Sequence, residues 1–282
     1  ESDLFSQLLT ELEKSSIDLR YGVGDIKIIE DENNITLATS DQEFTADLIL
    51  AADGRHSMFR QSLPFETMSQ SYHESAMVFT IKHPGFNHKG LAVETFLPSG
   101  PFAVLPHRDP YHSAIVWSAE TQMTDAFMKM EEEEKHSIIA DRLLDCYGEF
   151  SFESEFISYP LNLILPYKLF HKNVLLIGDS SHVVHPIAGQ GFNLGIRDIK
   201  AFLSYIRELH LYNDQSHMLE CYQEERLSDI KKLANSTDFI SSLFSNNKFL
   251  LKMARKVGLT FFDAFDKTKQ EVMRYAAGKD ND

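Results

Sequence analysis

The chain has 282 residues, 43% hydrophobic and 24% charged, enough for one large domain or two small ones around a real core; this excludes a disordered tail or a fibre. Its 27 Lys+Arg against 42 Asp+Glu give a net charge of −15, which makes it a poor general binder of nucleic acid or anionic lipid, since both need a basic surface. Cys146 and Cys221 form neither a disulfide framework nor a metal-type pair, and they point to a reducing compartment. No apolar run approaches the roughly 18–20 residues that cross a bilayer, and no signal peptide is visible.

In chain order, Leu4, Phe5, Leu8, Leu9 and Leu12 recur at helical spacing and predict a helix over 3–14. Ile26–Ile29, Ile35–Ala38 and Phe44 alternate as strands, with Asn33-Asn34 as a turn. Asp47–Ala52 is a continuous apolar run, the pattern of a strand buried on both faces, and it stops at Asp53-Gly54. Beyond Pro64, Met77–Ile81, Leu91–Phe96, Phe102–Leu105, Ser113–Trp117 and Phe156–Leu165 predict a mostly antiparallel sheet, interrupted by one helix over 124–147 with a solvated acidic run. Asn173–Ile177 is a second buried-strand run and ends at Gly178-Asp179. Helices are expected over 196–212 and from about 216 to 277. The order predicts an α/β domain interrupted by an inserted β-rich one, with segments 1–63, 64–166, 167–212 and a helical 213–282.

Both buried strands end in a Gly/Asp pair, 125 residues apart. Ligands of open α/β sheets sit beyond the carboxyl ends of strands, so the two pairs are expected at one site. Gly178 permits close backbone approach, and Asp179 is an acceptor for ribose or ribityl hydroxyls. Gly189 and Gly191 precede a helix expected to start near Asn193, whose free N–H groups favour negative charge such as that of a reduced flavin. Asp179, His182 and His185 could be drawn as a metal cluster. Their spacing converges only on a helix, and Pro186 with the glycines makes a loop, so no metal is expected. Trp117, Phe96 and Phe102 fit core strands better than a pocket.

The run His185-Pro186-Ile187-Ala188-Gly189-Gln190-Gly191-Phe192-Asn193-Leu194-Gly195, closing at Asp198, resembles the flavin signature of the ubiquinone-biosynthesis FAD-dependent hydroxylases. These are class A flavoprotein monooxygenases related to p-hydroxybenzoate hydroxylase. Asp53-Gly54, Ser57 and Arg60 resemble the family's second fingerprint, and Arg255–Leu259 with Ala276-Ala277-Gly278 resemble its C-terminal helices. The family's opening strand, G-x-G-x-x-G turn and helix have no counterpart; Gly22-Val23-Gly24 precedes a strand and is rejected. With the start at Glu1, this implies that roughly a hundred N-terminal residues of the family pattern lie outside the chain.

The resemblance implies a glutathione-reductase-like FAD-binding domain with an inserted substrate sheet. It implies that NAD(P)H reduces FAD and that the reduced flavin activates O2 to hydroxylate a polyprenylated phenol. Asp179 would hold the ribityl chain, Gly178, Pro186, Gly189, Gln190, Gly191, Phe192 and Asn193 would face the flavin, and Asp53, Gly54 and Arg60 would place cofactor and nicotinamide. It implies a cytoplasmic protein, peripheral to the inner membrane or in a multienzyme assembly. The basic–apolar helix around Lys248, Phe249 and Lys252 could rest on a membrane surface, but the net acidity favours plain packing on the flavin domain. The alternative is a catalytically silent fragment or partner-binding scaffold, unable to hold FAD alone.

Overall fold

A computed structural model describes residues 2–143, 146–186, 189–212 and 214–244, with the single helical positions Gln270 and Arg274. The C-terminal motif residues Arg255–Leu259 and Ala276–Gly278, and the basic–apolar segment at 248–256, lie outside the described residues. Helix α1 (Ser2–Glu13) leads to a small antiparallel sheet, β1 (Lys27–Glu30), β2 (Ile35–Ala38) and β3 (Glu43–Phe44). Asn173 ties this sheet to what lies beneath it. Its Oδ1 accepts from the Ile35 amide at 2.7 Å, and its Nδ2 donates to the carbonyls of Ile35 and Ala46.

The second sheet is short and central to the site. Its order is β11 (Phe170–His171), β12 (Val174–Leu176), β4 (Ile49–Ala51). The last two are parallel, with Val174 opposite Ile49 and Leu176 opposite Ala51. Every residue of β12 is buried, as a core strand requires. The double-sided burial expected of Asp47–Ala52 is corrected. Only Ile49–Ala51 is strand, it forms an edge, and Leu50 remains 40% exposed, because no described residues cover that side.

Between β4 and β12 in sequence, the chain builds the third and largest sheet. Helix α2 (Met58–Ser62) leads into β5 (Thr67–Lys82), β6 (Val93–Leu97), β7 (Gly100–Pro106) and β8 (His112–Glu120), and later into β9 (Ser151–Phe152) and β10 (Ile157–Pro166). The order is β10-β5-β8-β7-β6, antiparallel throughout, with β9 on β5. One face carries Met77, Phe79, Ile81, Phe102, Val104, Ile115 and Trp117. The expected single helix over 124–147 is two, α3 (Thr121–Met128) and α4 (Glu132–Leu143), and Phe127, Ile139 and Leu143 from them close that core. Trp117 and Phe102 are each 1% exposed and belong to this core.

On the opposite face four apolar residues remain open among the described residues. Ile157, Val78, Val116 and Ala103 lie in register across four strands, each part-buried or exposed. After β12 come the loop 181–186, helix α5 (Gln190–Arg207) and helix α6 (Gln215–Phe244). These two helices pack on each other and on Leu169 and Leu175 through Leu194, Ala201, Met218, Leu219 and Tyr222. No helix among the described residues is long and apolar enough to cross a membrane.

Candidate flavin site

Because β4 and β12 run parallel, the segments leaving them emerge on one rim. Ile177 N donates to Ala51 O at 3.1 Å, and the Ser180 hydroxyl also bonds Ala51 O. Asp53-Gly54 and Gly178-Asp179 are therefore neighbours. The rest of the first loop is organised by capping. Ser57, fully buried, is the N-cap of α2 and accepts from Arg60 N at 3.1 Å. Asp53 Oδ2 accepts from Met58 N at 2.7 Å. The Asp53 carboxylate thus stabilises its own loop from the helix start.

Arg60 fastens the two loops together. Its Nη1 donates to the Ser180 carbonyl at 2.5 Å and to that of Asp179 at 3.4 Å, while Nη2 bonds the Arg55 carbonyl. It is 8% exposed, so it is no surface ion-pair residue. Burial pulls its pKa down and the charge of Asp53 opposes the shift. Both terminal nitrogens donate to main-chain oxygens of the two loops, which ties the rim together.

The second loop presents the open surface. Gly178–Ser180 forms a 3-10 turn that leaves Asp179 exposed, while Ser180 and Ser181 are buried. Val183 pairs with Ile164 through two 2.9 Å bonds, which joins this loop to the edge of the large sheet. Pro186 is part-buried. Gly189 stands at φ 60°, a left-handed conformation that a side chain resists, and it leaves α5 with no side-chain cap. The helix begins at Gln190, three residues before the start expected near Asn193 and six before the expected helical span 196–212. The reason is that Gly191 and Gly195 are helical here, not loop. Gln190, Gly191, Phe192 and Asn193 are its first turn. Phe192 is 64% exposed and Asn193 is exposed. A Cβ built on Gly54, Gly178, Gly189 or Gly191 meets nothing within 4 Å. Among the described residues the space beside these four glycines is open, and the exposed Asp179 carboxylate lies on the same rim. The carboxylate suits the ribityl chain, and the amides of the helix start suit the N1–C2=O edge of an isoalloxazine. No described strand–glycine turn–helix offers a pyrophosphate partner.

Behind the rim the two histidines are held by carboxylates of other elements. His182 Nε2 lies 2.8 Å from Asp198 Oδ2, which also accepts from Gly178 N at 2.9 Å. Arg226 Nε reaches Asp198 Oδ1 at 2.8 Å, and its Nη1 reaches Asp229 Oδ2 at 2.8 Å. Burial pushes the Asp198 carboxyl up, but the His182 bond and charge, Arg226 and the Gly178 amide outweigh it, and the group stays below the ordinary aspartate range. His185, fully buried, meets Glu74 on β5. Among the described residues no cluster of metal-ligating side chains forms. Glu74, Tyr72, Arg226 and Asp238 have no motif to announce them; only the fold brings them here.

Residues 8–237 match a family model described as an FAD binding domain. The ubiquinone hydroxylase UbiL of Rhodospirillum rubrum is 31% identical over 88% of this chain and 58% of its own length. The mitochondrial ubiquinone biosynthesis monooxygenase COQ6 of Homo sapiens is 27% identical over 83% of this chain and likewise 58% of its own length. The chain thus spans little more than half the length of these curated relatives. Among solved structures, the p-nitrophenol 4-monooxygenase PnpA of Pseudomonas putida shares the fold with a TM-score of 0.68 at 13% identity, over 88% of this chain and 64% of that one. By the extent of these matches, the chain belongs to the FAD-binding flavoprotein monooxygenase family that includes the ubiquinone-biosynthesis hydroxylases.

Proposed function

We propose that these 282 residues are the flavin-ring and substrate part of an FAD- and NAD(P)H-dependent monooxygenase that hydroxylates the aromatic ring of a polyprenylated phenol in ubiquinone biosynthesis. The observation that carries this reading is the joining of two strand-end loops by Arg60 around an open glycine turn. The names of the relatives supply the substrate class and favour this over a silent scaffold. Bound FAD, once reduced by NAD(P)H, supplies the activation of O2. The chain's own residues bind, orient and shield. Asp179 accepts from ribityl hydroxyls, and the amides at the start of α5 stabilise negative charge at the ring's pyrimidine edge. The sheet face at Ile157, Val78, Val116 and Ala103 receives the phenol with the start of its prenyl chain, and the bound substrate displaces water from it. Such a substrate is drawn from a bilayer, so contact with a membrane surface or a partner enzyme belongs to the same proposal.

The adenosine and pyrophosphate end of FAD is held, in this reading, by the part of the family's length that these residues do not span. Two exposed apolar surfaces support this. Leu50 lines the open edge at β4, and Phe192, Ile196, Ile199 and Leu203 form a stripe along α5. The test is hydroxylation of a prenylated phenol by the full-length protein under 18O2 with NAD(P)H. One labelled oxygen in the product is expected, and an unlabelled or absent product contradicts the reading.

A further inference from the structure

Between Ser71 and Ser75, β5 carries two more residues than β10 opposite it, for pairing steps from Ser71–Asn162 to Ser75–Pro160. Inside this bulge His73 stands at φ 55°, a region L residues seldom occupy. Bulges re-aim side chains. Here both neighbours of His73 are aimed at one target. Glu74 Oε2 lies 3.2 Å from Nε2 of His185, and the Tyr72 ring meets the His185 imidazole edge-on, centroids 4.9 Å apart at 84°. The Tyr72 hydroxyl donates to Asp238 Oδ1 on α6 at 2.6 Å. Burial and this bond both push the Tyr72 phenol well above its ordinary pKa, so it remains a donor. His185 directly precedes Pro186, and its fellow His182 is already held from behind by Asp198. The loop is therefore gripped from two sides, by the helices through one histidine and by the large sheet through the other.

We propose that Tyr72, Glu74 and Asp238 are positioning residues that act through His185 to fix Pro186 and the start of α5 against the sheet, and so set how tightly the flavin ring is held. The second half rests on the flavin reading of that turn; the first half does not. The bulge supports a positioning role over incidental contact. A backbone strained at His73 persists where its surroundings enforce it, and what it delivers is two side chains on one buried imidazole.

The test uses the full-length protein with Glu74→Ala, Glu74→Gln and Tyr72→Phe, and Ile139→Val in α4 as a control for general loosening. Backbone hydrogen exchange over 183–193 and FAD affinity by visible titration are the readouts. Glu74→Ala and Tyr72→Phe are expected to speed exchange of the loop about tenfold and weaken FAD by a similar factor, the scale set by one lost charge-assisted or buried hydrogen bond. Glu74→Gln keeps an acceptor and restores most of both, and Ile139→Val moves neither. Loop exchange equal to wild type in Glu74→Ala and Tyr72→Phe overturns the proposal. Should Glu74→Ala not fold, Tyr72→Phe, which removes a single oxygen, decides alone. Faster exchange with unchanged FAD affinity overturns the link to the flavin. A wild-type protein that takes up no FAD while the variants still exchange faster leaves the positioning intact and refutes the flavin reading instead.

Discussion

The guanidinium of Arg60 reaches from α2 to the carbonyl of Ser180, 2.5 Å away, and so binds together two loops that lie 120 residues apart in the chain. The Ser180 hydroxyl adds a second tie, to the Ala51 carbonyl at the end of β4. The loops are the two segments that would meet the flavin, so the bond sits at the centre of the account.

Replacing Arg60 by alanine leaves the buried Ser180 carbonyl, and the part-buried one of Arg55, without their donor. A loss of about 2–3 kcal/mol is expected, from unsatisfied acceptors and the missing charge-assisted bonds. Chemical denaturation measures it. Lysine recovers little of the loss, since it lacks the forked donors that serve Ser180 and Arg55 together.

Asp179 is different in kind. It is exposed and at the rim, so Asp179→Ala is expected to shift stability by no more than about 0.5 kcal/mol. FAD affinity of the full-length protein falls about tenfold, as for the loss of one hydrogen bond to a charged acceptor. Paired melting and flavin titrations separate the two effects.

Two glycines make a matched contrast. Both stand at positive φ, but a Cβ at Gly189 meets open space, whereas one at Gly100 falls 2.0 Å from the Ser118 carbonyl. Gly189→Ala therefore costs roughly 1 kcal/mol of backbone strain and mainly harms flavin binding. Gly100→Ala drives β7 off β8, and the expected readout is loss of the cooperative unfolding transition.

The chain's strand ends were legible because two apolar runs each stop at a Gly/Asp pair, and the parallel pairing of β4 with β12, which the sequence does not show, brings those ends together. The exposure of Leu50 was not legible. An apolar side chain declares a preference for burial but says nothing of whether a covering surface is present. The break between α3 and α4 at Lys129–Glu131 carries no Pro or Gly, so helical periodicity ran through it. The early start of α5 was hidden by Gly191 and Gly195, which read as loop residues. The contact of Glu74 with His185 depends on a bulge in β5, and local sequence holds no signal for a register shift against a strand some ninety positions away.

The buried Asp198–Arg226 pair makes a pH prediction. The folded pKa of Asp198 lies below its ordinary value of 3.8, so its contribution to stability is fully present above that value and is lost as pH falls through the lower folded one. Wild-type stability is expected to drop more steeply below about pH 4 than that of Asp198→Asn. At neutral pH the variant is weaker by about 3–5 kcal/mol, because Arg226 keeps a buried charge that has lost a partner. Denaturation midpoints from pH 2 to pH 7 give both numbers.

The most direct measurement is the position of FAD in a crystal structure of the full-length protein. The isoalloxazine is expected on the shared rim of β4 and β12, its N1–C2=O edge within hydrogen-bonding distance of amides in the first turn of α5 and a ribityl hydroxyl on Asp179. A flavin ring bound away from that rim, or a turn at Gly189 packed against polypeptide with no space for three fused rings, would contradict it.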